Sequence, residues 1–390
     1  MTKHGFEAQL NMYTRSLTGQ TEWQWPVSAN DWRAQARTTL AAGPWGYVDG
    51  GAGDESTMRA NRAAFERWQI RPRLLRNVED RDLTVTLFGH SFPTPFLLAP
   101  IGVQSIIHPD ADLASARAAA KHHIPFILST VSSVDIETVA RETTDAVRWF
   151  QLYPGRDADV VSSFIHRAET AGYSALVVTV DTTMLGWREQ DLKNLYLPFL
   201  QGQGIANFLS DPAFCRRLGA LPEENLSAAI QEFLSIYVNP AFTWDDLSKI
   251  RAQTHLPLLV KGLTHPEDVQ EAARRGADGV ILSNHGGRQV DGSVTTLDAL
   301  ADARAIVGDS YPLLLDSGIR HAADVVKALA LGANAVLIGR PYAYALAIGG
   351  QAGVDELLTQ WTAELDLQLA LAGQRAVRDI DRACIRDVRG

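Results

Sequence analysis

The strongest constraint on the fold is a set of eight short apolar runs, each bounded by turn residues and separated from the next by an amphipathic stretch. Runs of this length are typical of strands that crossover helices bury on both faces. Eight βα units in succession predict an α/β fold with a closed (β/α)8 TIM barrel. The predicted strands are Pro95–Ala99, Pro125–Thr130, Val147–Tyr153, Ala175–Asp181, Pro257–Gly262, Gly279–Asn284, Pro312–Asp316 and Ala335–Gly339.

Amphipathic helical patterns fill several of the gaps between these strands, and each pattern ends near a Gly or a Pro. They cover Asp110–His122, Asp157–Ala171, His265–Arg275 and Ala322–Leu331. The alternation of strand and helix therefore continues through the whole predicted barrel.

The chain has 390 residues, enough for two or three average domains, but α/β barrels are large single domains and the composition shows no break. We expect one domain over residues 1–390. It divides into an N-terminal helical cap at 1–94, the barrel at 95–349, and a C-terminal helix and tail at 350–390.

Three patterns lie within the predicted cap. Ser28–Leu40 and Glu55–Ala64 have helical patterns, and Leu83–Leu87 has the pattern of a short strand or hairpin. After the fourth strand, a long insertion between Arg188 and Thr243 fits no regular βα loop. Connections of this length are usually functional lids or disordered, so residues 189–242 are predicted to form a lid.

Composition excludes several classes of protein. No apolar run approaches the roughly 18–20 residues of a membrane helix, and the formal charge of −9 argues against a nucleic-acid partner. The first ten residues lack the pattern of a secretory signal, so a cytoplasmic enzyme is expected. The two cysteines, Cys215 and Cys384, are too far apart in sequence for a disulfide framework or a zinc site, and no metal is expected.

Polar or glycine-containing segments lie at the C-terminal ends of all eight predicted strands, the end of a barrel where reacting groups lie. Core packing alone does not readily produce eight such ends, three of them with arginine, so they predict an active site. In chain order the segments contain Pro100-Ile101-Gly102, Ser129-Thr130, Gln151 with Tyr153, Thr179 with Asp181, Lys261, Ser283 through Gln289, Asp316 through Arg320, and Gly339-Arg340.

The last two strand ends have the features of a phosphate site. Glycines in Asp316-Ser317-Gly318-Ile319-Arg320 and Ile338-Gly339-Arg340-Pro341 allow backbone amides to approach a ligand, and the arginines supply charge. Phosphate sites of these barrels are built from the loops after strands seven and eight. A phosphorylated cofactor is therefore predicted.

The run Ser283-Asn284-His285-Gly286-Gly287-Arg288-Gln289 resembles the signature of the FMN-dependent 2-hydroxy-acid oxidase family. The likeness extends from Tyr47-Val48-Asp49-Gly50-Gly51-Ala52-Gly53-Asp54-Glu55 to the last barrel helix, which is nearly the whole chain. It implies an FMN cofactor that receives a hydride from a small L-2-hydroxy acid, reoxidation by molecular oxygen, and a homotetramer or homo-octamer.

The same resemblance assigns roles at the substrate. It implies that His285 is the catalytic base and that Asp181 stabilises its protonated form. Loss of hydride requires the hydroxyl proton to leave as well, and a histidine with a pKa near neutrality suits that task. The matching substrate ligands are Tyr47, Tyr153, Arg188 and Arg288, in which the arginines suit a carboxylate.

For the flavin, the resemblance places Ser129, Gln151, Thr179 and Lys261 around the isoalloxazine ring, with Lys261 near N1 and O2. A cation there would stabilise the charge of the reduced ring. The ribityl and phosphate groups would contact Asp316, Gly318, Arg320, Gly339 and Arg340, and further cofactor contacts are expected from Pro100, Ile101, Gly102 and Ser283.

Within the family the sequence is most similar to the lactate 2-monooxygenase subgroup. The similar segments are Pro100 through Val103, Leu197 through Leu200, Asn207-Phe208, and Asp211 through Phe214. Gly102 matches a glycine where lactate oxidase has alanine, and Val131 stands where glycolate oxidase has an aromatic residue, so glycolate-only specificity is not expected.

The subgroup predicts that L-lactate, or a similar acid, becomes acetate, carbon dioxide and water. The alternative is an oxidase that releases pyruvate and hydrogen peroxide. An FMN-dependent isomerase and a flavin-binding protein without turnover are two further alternatives, but His285 with Asp181 and the twin arginines argue against both.

Overall fold

The computed structural model describes residues 4–19, 22–219, 222 and 224–388. Parts of three predicted regions lie outside the described residues. These are residues 1–3, 20 and 21 of the cap, residues 220, 221 and 223 of the insertion, and residues 389 and 390 of the tail.

Two kinds of regular element make up the described chain. The strands are β1 (Trp68–Ile70), β2 (Val85–Leu87), β3 (His90–Phe92), β4 (Phe96–Leu98), β5 (Phe126–Ser129), β6 (Arg148–Leu152), β7 (Leu176–Thr179), β8 (Leu258–Leu263), β9 (Gly279–Leu282), β10 (Leu313–Leu315), β11 (Ala335–Ile338) and β12 (Ile385–Asp387). The α-helices are α1 (His4–Thr14), α2 (Ala29–Thr39), α3 (Ala42–Asp49), α4 (Ser56–Glu66), α5 (Ala111–Lys121), α6 (Ile136–Glu142), α7 (Ala158–Thr170), α8 (Glu189–Lys193), α9 (Ala206–Leu209), α10 (Pro212–Leu218), α11 (Leu226–Ile236), α12 (Trp244–Arg251), α13 (Pro266–Arg274), α14 (Thr296–Val307), α15 (Ala322–Ala330) and α16 (Arg340–Ala372).

Strands β4 to β11 form a closed barrel in sequence order, because β11 pairs with β4. All of the neighbouring pairs are parallel. The predicted (β/α)8 barrel is therefore confirmed, and only β8 extends beyond its predicted run, by one residue. Several of the surrounding helices begin at residues that cap them: the side chains of Asp135, Asp157 and Thr295 each accept the N–H three residues further on.

Alternate strand residues point into and out of the barrel, as the two-residue period of a strand requires. Two separate buried clusters result, one inside the barrel and one between the barrel and its helices. The inner cluster includes Leu97, Ile127, Trp149, Val177, Leu259, Ile281, Leu314 and Leu337. The β2–β3 hairpin contributes Leu87 and Phe92 to this inner cluster and packs Phe88 against Trp149, so it closes the end opposite the polar strand ends.

Four α-helices of the described cap precede the barrel, and α1 is the first of them. Helices α2 and α4 lie where the sequence has its helical patterns, and α3 lies between them. Helix α3 includes Gly43, Pro44 and Gly46, which are poor helix formers, so its sequence gives little helical signal. Asn61 of α4 and Asn284 exchange two side-chain hydrogen bonds of 2.9 Å, which join the cap to the barrel.

The insertion is built from helices α8 to α11 and a short 3-10 turn at Pro198–Gln201. Phe199, Phe208, Phe214 and Phe233 are buried in one aromatic cluster. Asn207 donates to the carbonyls of Ser129 and Thr130 and thereby anchors this cluster on the end of β5. The insertion is thus packed on the barrel, and its opening as a lid stays a prediction.

The long helix α16 bends at Gly349 and Gly350, the position at which the sequence divides barrel from tail. The division itself stays a prediction. Within the described part of the chain, no helix combines the length and apolar character that crossing a membrane requires.

Candidate active site

The C-terminal ends of the barrel strands surround a cavity of about 1060 Å³. This volume includes the solvent at the mouth of the cavity. Fourteen residues predicted from the sequence line it: Tyr47, Pro100, Ile101, Gly102, Tyr153, Arg188, Lys261, His285, Arg288, Asp316, Gly318, Arg320, Gly339 and Arg340. Five others lie outside its lining: Ser129, Gln151, Thr179, Asp181 and Ser283. The structure therefore brings most of the predicted residues together around one cavity.

His285 has an unusual backbone conformation, with φ of 57° in the left-handed region. Gly286 and Gly287 continue that conformation with φ of 67° and 76°. A non-glycine residue in this region is strained, and such residues cluster at functional sites. The turn directs the imidazole so that Nδ1 lies 2.9 Å from Oδ1 of Asp181 and 3.3 Å from Oγ1 of Thr182.

These contacts assign the imidazole tautomer. A carboxylate only accepts, so Nδ1 of His285 carries the proton and donates it to Asp181. Nε2 then has a free lone pair on a side chain that lines the cavity. A base with this tautomer is able to take a proton from a ligand in the cavity.

The pKa values of the pair agree with this assignment. Burial works to raise the pKa of Asp181, but His285 and Lys261 lower it to about 2, so the carboxylate is ionised. Burial lowers the pKa of His285 below its usual value, although Asp181 opposes that shift. At neutral pH the pair therefore consists of a neutral imidazole beside a carboxylate.

Two arginines face the same cavity close to Tyr47. The guanidinium carbon of Arg288 lies 5.0 Å from the centre of the Tyr47 ring, and that of Arg188 lies 6.0 Å from it. Among the described residues neither arginine forms an ion pair. Burial, and then the charge of Arg188, lower the pKa of Arg288 to about 9. An anion that enters the cavity relieves this repulsion.

Two tyrosines complete this side of the cavity. Burial, followed by the charge of Asp181, raises the pKa of Tyr153, so its hydroxyl stays protonated and is able to donate. Tyr237, at the end of α11, packs edge to face on Tyr153 with ring centroids 5.7 Å apart. Sequence reasoning missed Tyr237, Thr182 and Val131 as cavity residues.

Lys261 is a buried cation that also lines the cavity. Its Nζ donates to Oγ of Ser283 at 2.9 Å and lies 3.2 Å from Oδ2 of Asp316. Burial works to lower the pKa of Lys261, but Asp316 and Asp181 raise it above its usual value. Lys261 therefore stays protonated at the end of β8, where it forms an ion pair with Asp316.

The polar atoms next to this lysine test whether a flavin fits. Nε2 of Gln151 and Oγ1 of Thr179 are buried and have no hydrogen-bond partner among the described residues. A buried polar group without a partner costs about 1–3 kcal/mol. Thr179 pairs with Lys261 in the β7–β8 register, so these groups and the lysine lie together at the strand ends. A polar ring edge satisfies this set of donors, and the residues fit the flavin.

The loops after β10 and β11 provide positive charge for a phosphate. Burial, together with Arg340 and Arg62, lowers the pKa of Arg320 to about 10 despite the opposing effect of Tyr344. Neither Arg320 nor Arg340 forms an ion pair within the described residues. Ser317 and Gly318 have φ of 72° and 96°, which turns the backbone sharply beside these arginines. The arrangement fits an anionic group such as a phosphate.

Arg340 also has a second set of contacts that the sequence did not indicate. Its Nε donates to the carbonyls of Val48 and Asp49, Nη2 donates to that of Gly50, and Nη1 donates to that of Gly286. One hydrogen on each terminal nitrogen is left over by these bonds. Arg340 therefore ties the cap to the His285 turn while it keeps donors for an anion.

The family comparison agrees with this geometry. Residues 36–387 match the family model described as FMN-dependent dehydrogenase. The chain belongs to this FMN-dependent dehydrogenase family. It is therefore an FMN-dependent 2-hydroxy-acid oxidoreductase, and FMN is its cofactor.

Curated and structural relatives span almost the whole chain. An L-lactate oxidase from Lysinibacillus sphaericus is 40% identical over 370 residues, which are 95% of each chain. The 2-hydroxyacid oxidase 1 of Mus musculus is 36% identical over 365 residues, covering 92% of this chain and 96% of the mouse protein. An oxidised active mutant of (S)-mandelate dehydrogenase superposes with a TM-score of 0.84 and 38% identity, over 93% of this chain and 99% of that structure.

Proposed function

We propose that this member of the family oxidises L-lactate, or a similarly small L-2-hydroxy acid, with molecular oxygen as the final electron acceptor. The observation that carries the proposal is a neutral His285, held by Asp181, in the same cavity as two arginines that form no ion pair among the described residues. This site has one group for the hydroxyl proton and two for the carboxylate of a 2-hydroxy acid.

In the proposed mechanism, Arg288 and Arg188 bind the substrate carboxylate and so fix the α-carbon in one orientation. Tyr153, which remains protonated, donates to a substrate oxygen, and Tyr47 holds the carboxylate from the cap side. FMN, when bound, would supply the acceptor for the hydride that leaves the α-carbon. His285 takes the hydroxyl proton at Nε2, and Asp181 stabilises the imidazolium that results.

The groups proposed to hold FMN form two sets. The strand-end set would hold the ring: Pro100, Ile101, Gly102, Ser129, Gln151, Thr179, Lys261 and Ser283. The set after β10 and β11 would hold the ribityl chain and phosphate: Asp316, Gly318, Arg320, Gly339 and Arg340. Lys261 keeps its charge in the buried site, and that charge would stabilise the negative charge of the reduced ring.

For the fate of the product, we propose oxidative decarboxylation. If pyruvate stays in the cavity with the hydrogen peroxide formed from oxygen, the two react to give acetate, carbon dioxide and water. Two features support retention: Tyr237 of the insertion lines the cavity, and Asn207 fixes the insertion on the end of β5. A closed site of this kind slows release of the product.

The alternative is an oxidase that releases pyruvate and hydrogen peroxide. The similarity to a protein named L-lactate oxidase favours it. Catalase distinguishes the two outcomes in an oxygen electrode, because it returns half of the consumed oxygen if peroxide is free and none if the peroxide has been used.

The substrate proposal is tested by mixing the purified holoenzyme with L-lactate in the absence of oxygen. We expect the visible absorption band of the bound flavin to bleach with L-lactate and to persist with D-lactate. Glycolate and mandelate report the tolerated size of the side chain. Persistence of the band with all of these acids would contradict the proposed function.

Three further features stay predictions: one domain over 1–390, assembly as a homotetramer or homo-octamer, and a cytoplasmic location. Light scattering of the purified holoenzyme tests the assembly, and fractionation of the source cells tests the location.

A further inference from the structure

The last residue of the signature, Gln289, makes four hydrogen bonds to one loop. Its Nε2 donates to the backbone carbonyls of Asp181 and Met184 at 2.7 and 2.8 Å. Its Oε1 accepts from Nη2 of Arg188 at 2.9 Å and from the backbone N–H of Gly186 at 3.3 Å. The loop that these bonds reach, residues 181–188, connects β7 to α8.

These bonds use the whole hydrogen-bonding capacity of the amide. A glutamine amide has two N–H donors and an oxygen with two lone pairs, and all four are engaged here. The amide orientation is fixed as well, because one end faces two carbonyls and the other faces two N–H donors. No other side chain type provides two donors and two acceptors with this reach.

A backbone contact brings the same two segments together. A Cβ atom on Gly186 would lie 2.5 Å from the carbonyl oxygen of Arg288 and 2.8 Å from that of Gln289. The 181–188 loop therefore lies directly against the signature backbone at Gly186. The Gln289 amide and this backbone contact therefore both hold the loop at Gly186.

Other contacts hold the ends of the loop: the N–H of Gly53 donates to the Trp187 carbonyl at 2.8 Å, Nε of Arg188 donates to the Arg288 carbonyl at 3.2 Å, and His285 donates to Asp181 at 2.9 Å. Met184 is 64% exposed and Trp187 is 71% exposed, so neither side chain buries much apolar surface. A segment with few buried contacts depends on its hydrogen bonds for a single conformation. Gln289 joins the two functional residues at the ends of the loop, Asp181 and Arg188, through one amide.

We propose that Gln289 is a positioning residue that sets the substrate-binding Arg188 and the His285 partner Asp181 together, so that carboxylate binding and proton removal depend on one amide. The inference rests on the proposed function of this site. Gln289 itself contacts neither reacting atom and acts through the 181–188 loop.

The first test replaces the amide with an apolar side chain of similar length, Gln289→Met. D-lactate serves as an unreactive carboxylate probe, and its binding to the holoenzyme is followed by the change in flavin absorbance. Since one hydrogen bond to a charged group contributes about 1.5–3 kcal/mol, we expect the Kd for D-lactate to rise by roughly 10- to 100-fold.

A pH profile provides a readout that a purely structural role would leave unchanged. Asp181 raises the pKa of His285. If the loss of the Gln289 amide moves Asp181 away from the imidazole, this effect weakens and the pKa of His285 falls further. The acid limb of kcat/KM for L-lactate is therefore expected to move to lower pH in Gln289→Met. The maximal rate is expected to fall, because the imidazolium loses part of its stabilisation.

Gly186→Ala tests the same contact from the loop side and leaves the amide intact. The added Cβ has to push the backbone of the loop away from the backbone of Arg288 and Gln289. We therefore expect a higher Kd for D-lactate and an acid limb at lower pH in this variant too. Gln360→Met is the matched control. Gln360 lies on α16 away from the cavity, where its Nε2 donates to the Pro26 carbonyl and to the side chain of Glu356.

The outcomes separate this inference from the proposed function. A parent enzyme that neither binds D-lactate nor is reduced by L-lactate would refute the proposed function. The positioning role would be overturned in a different case, in which the parent binds D-lactate and is reduced by L-lactate. In that case Gln289→Met and Gly186→Ala bind D-lactate as tightly as the parent, and the acid limb of kcat/KM lies at the same pH in all three enzymes. Loss of FMN or of thermal stability with an unchanged Kd would overturn it too.

Discussion

Nδ1 of His285 lies 2.9 Å from Oδ1 of Asp181, while the His285 backbone is held in the left-handed region. The two residues follow β9 and β7, the strands that lie on either side of β8 in the barrel. The left-handed turn places the imidazole between the carboxylate and the cavity, so Nε2 is the atom that a ligand meets. The proposed proton transfer depends on this relationship.

Replacement of His285 by Gln removes the base but leaves a polar side chain of similar size. We expect His285→Gln to keep its FMN and to reduce that FMN with L-lactate about 10²- to 10⁴-fold more slowly, the usual contribution of a general base. Stopped-flow absorbance without oxygen measures the rate. His255→Gln, at an exposed turn, is the control. Reduction at the parent rate would show that the base lies elsewhere.

The pH dependence follows from the neutral state of His285. Burial lowers its pKa, and only the neutral imidazole accepts a proton, so kcat/KM should fall as pH falls through that lowered pKa. In Asp181→Asn the charge that raises the pKa is absent, so the acid limb should move to lower pH while the rate on the plateau drops. An acid limb at the same pH in both enzymes would contradict this assignment.

Arginine at position 288 supplies a planar pair of donors that lysine lacks. We expect Arg288→Lys to raise the KM for L-lactate by roughly 10- to 100-fold, the effect of losing a charge-assisted hydrogen bond. Arg217→Lys, whose arginine pairs with Asp157 and Glu232 on the surface, serves as the control. Steady-state oxygen uptake measures both variants, and equal KM values would remove Arg288 from carboxylate binding.

Gly102 lies so close to Val131 that an added side chain would collide with it. A Cβ there would lie 2.5 Å from Cγ2 and 2.7 Å from the carbonyl oxygen of Val131, so the added methyl group displaces Val131, which also lines the cavity. We expect Gly102→Ala to alter how the product is held and to shift the products toward pyruvate and hydrogen peroxide. An unchanged ratio of acetate to pyruvate would count against this prediction.

Asp112 gives a prediction about stability. Its side chain is completely buried, Oδ1 has no partner among the described residues, and burial raises its pKa to about 7. The unfolded chain releases this proton near pH 4, so the folded state binds more protons between about pH 4 and 7 and loses stability as pH rises. Asp112→Asn does not titrate, so its Tm relative to the parent should be higher at pH 8 than at pH 5.

The size of that effect is limited to a few kcal/mol, since one pKa unit corresponds to about 1.4 kcal/mol. Asp110→Asn is the control, because Asp110 precedes the same helix with an exposed side chain. A Tm difference between Asp112→Asn and the parent that is the same at both pH values would contradict the pKa given for Asp112.

Strand positions and strand-end chemistry could be predicted because both depend on local sequence. Apolar runs bounded by turn residues locate β4 to β11, and the fold itself requires their polar ends to meet around one cavity. The sequence alone therefore predicts that Lys261 and His285 lie around the same cavity, although 24 positions separate them.

Contacts between distant segments could not be predicted in this way. Tyr237 reaches the cavity only because α11 packs on Phe199 and Phe208, and no pattern in the insertion specifies that packing. Helix α3, which carries Tyr47, forms despite two glycines and a proline because Arg340 binds the carbonyls at its end. The charge of Arg340 is visible in the sequence, whereas its carbonyl partners are a tertiary property.

The most direct test of the proposed function is the product analysis of carbon-13 L-lactate turned over by the parent enzyme in air, without catalase. NMR of the mixture identifies the labelled products, and a peroxide assay is run on the same sample. The account predicts acetate and carbon dioxide as the main products, with little free hydrogen peroxide. Pyruvate and hydrogen peroxide in equal yield would contradict it and would establish the enzyme as an oxidase.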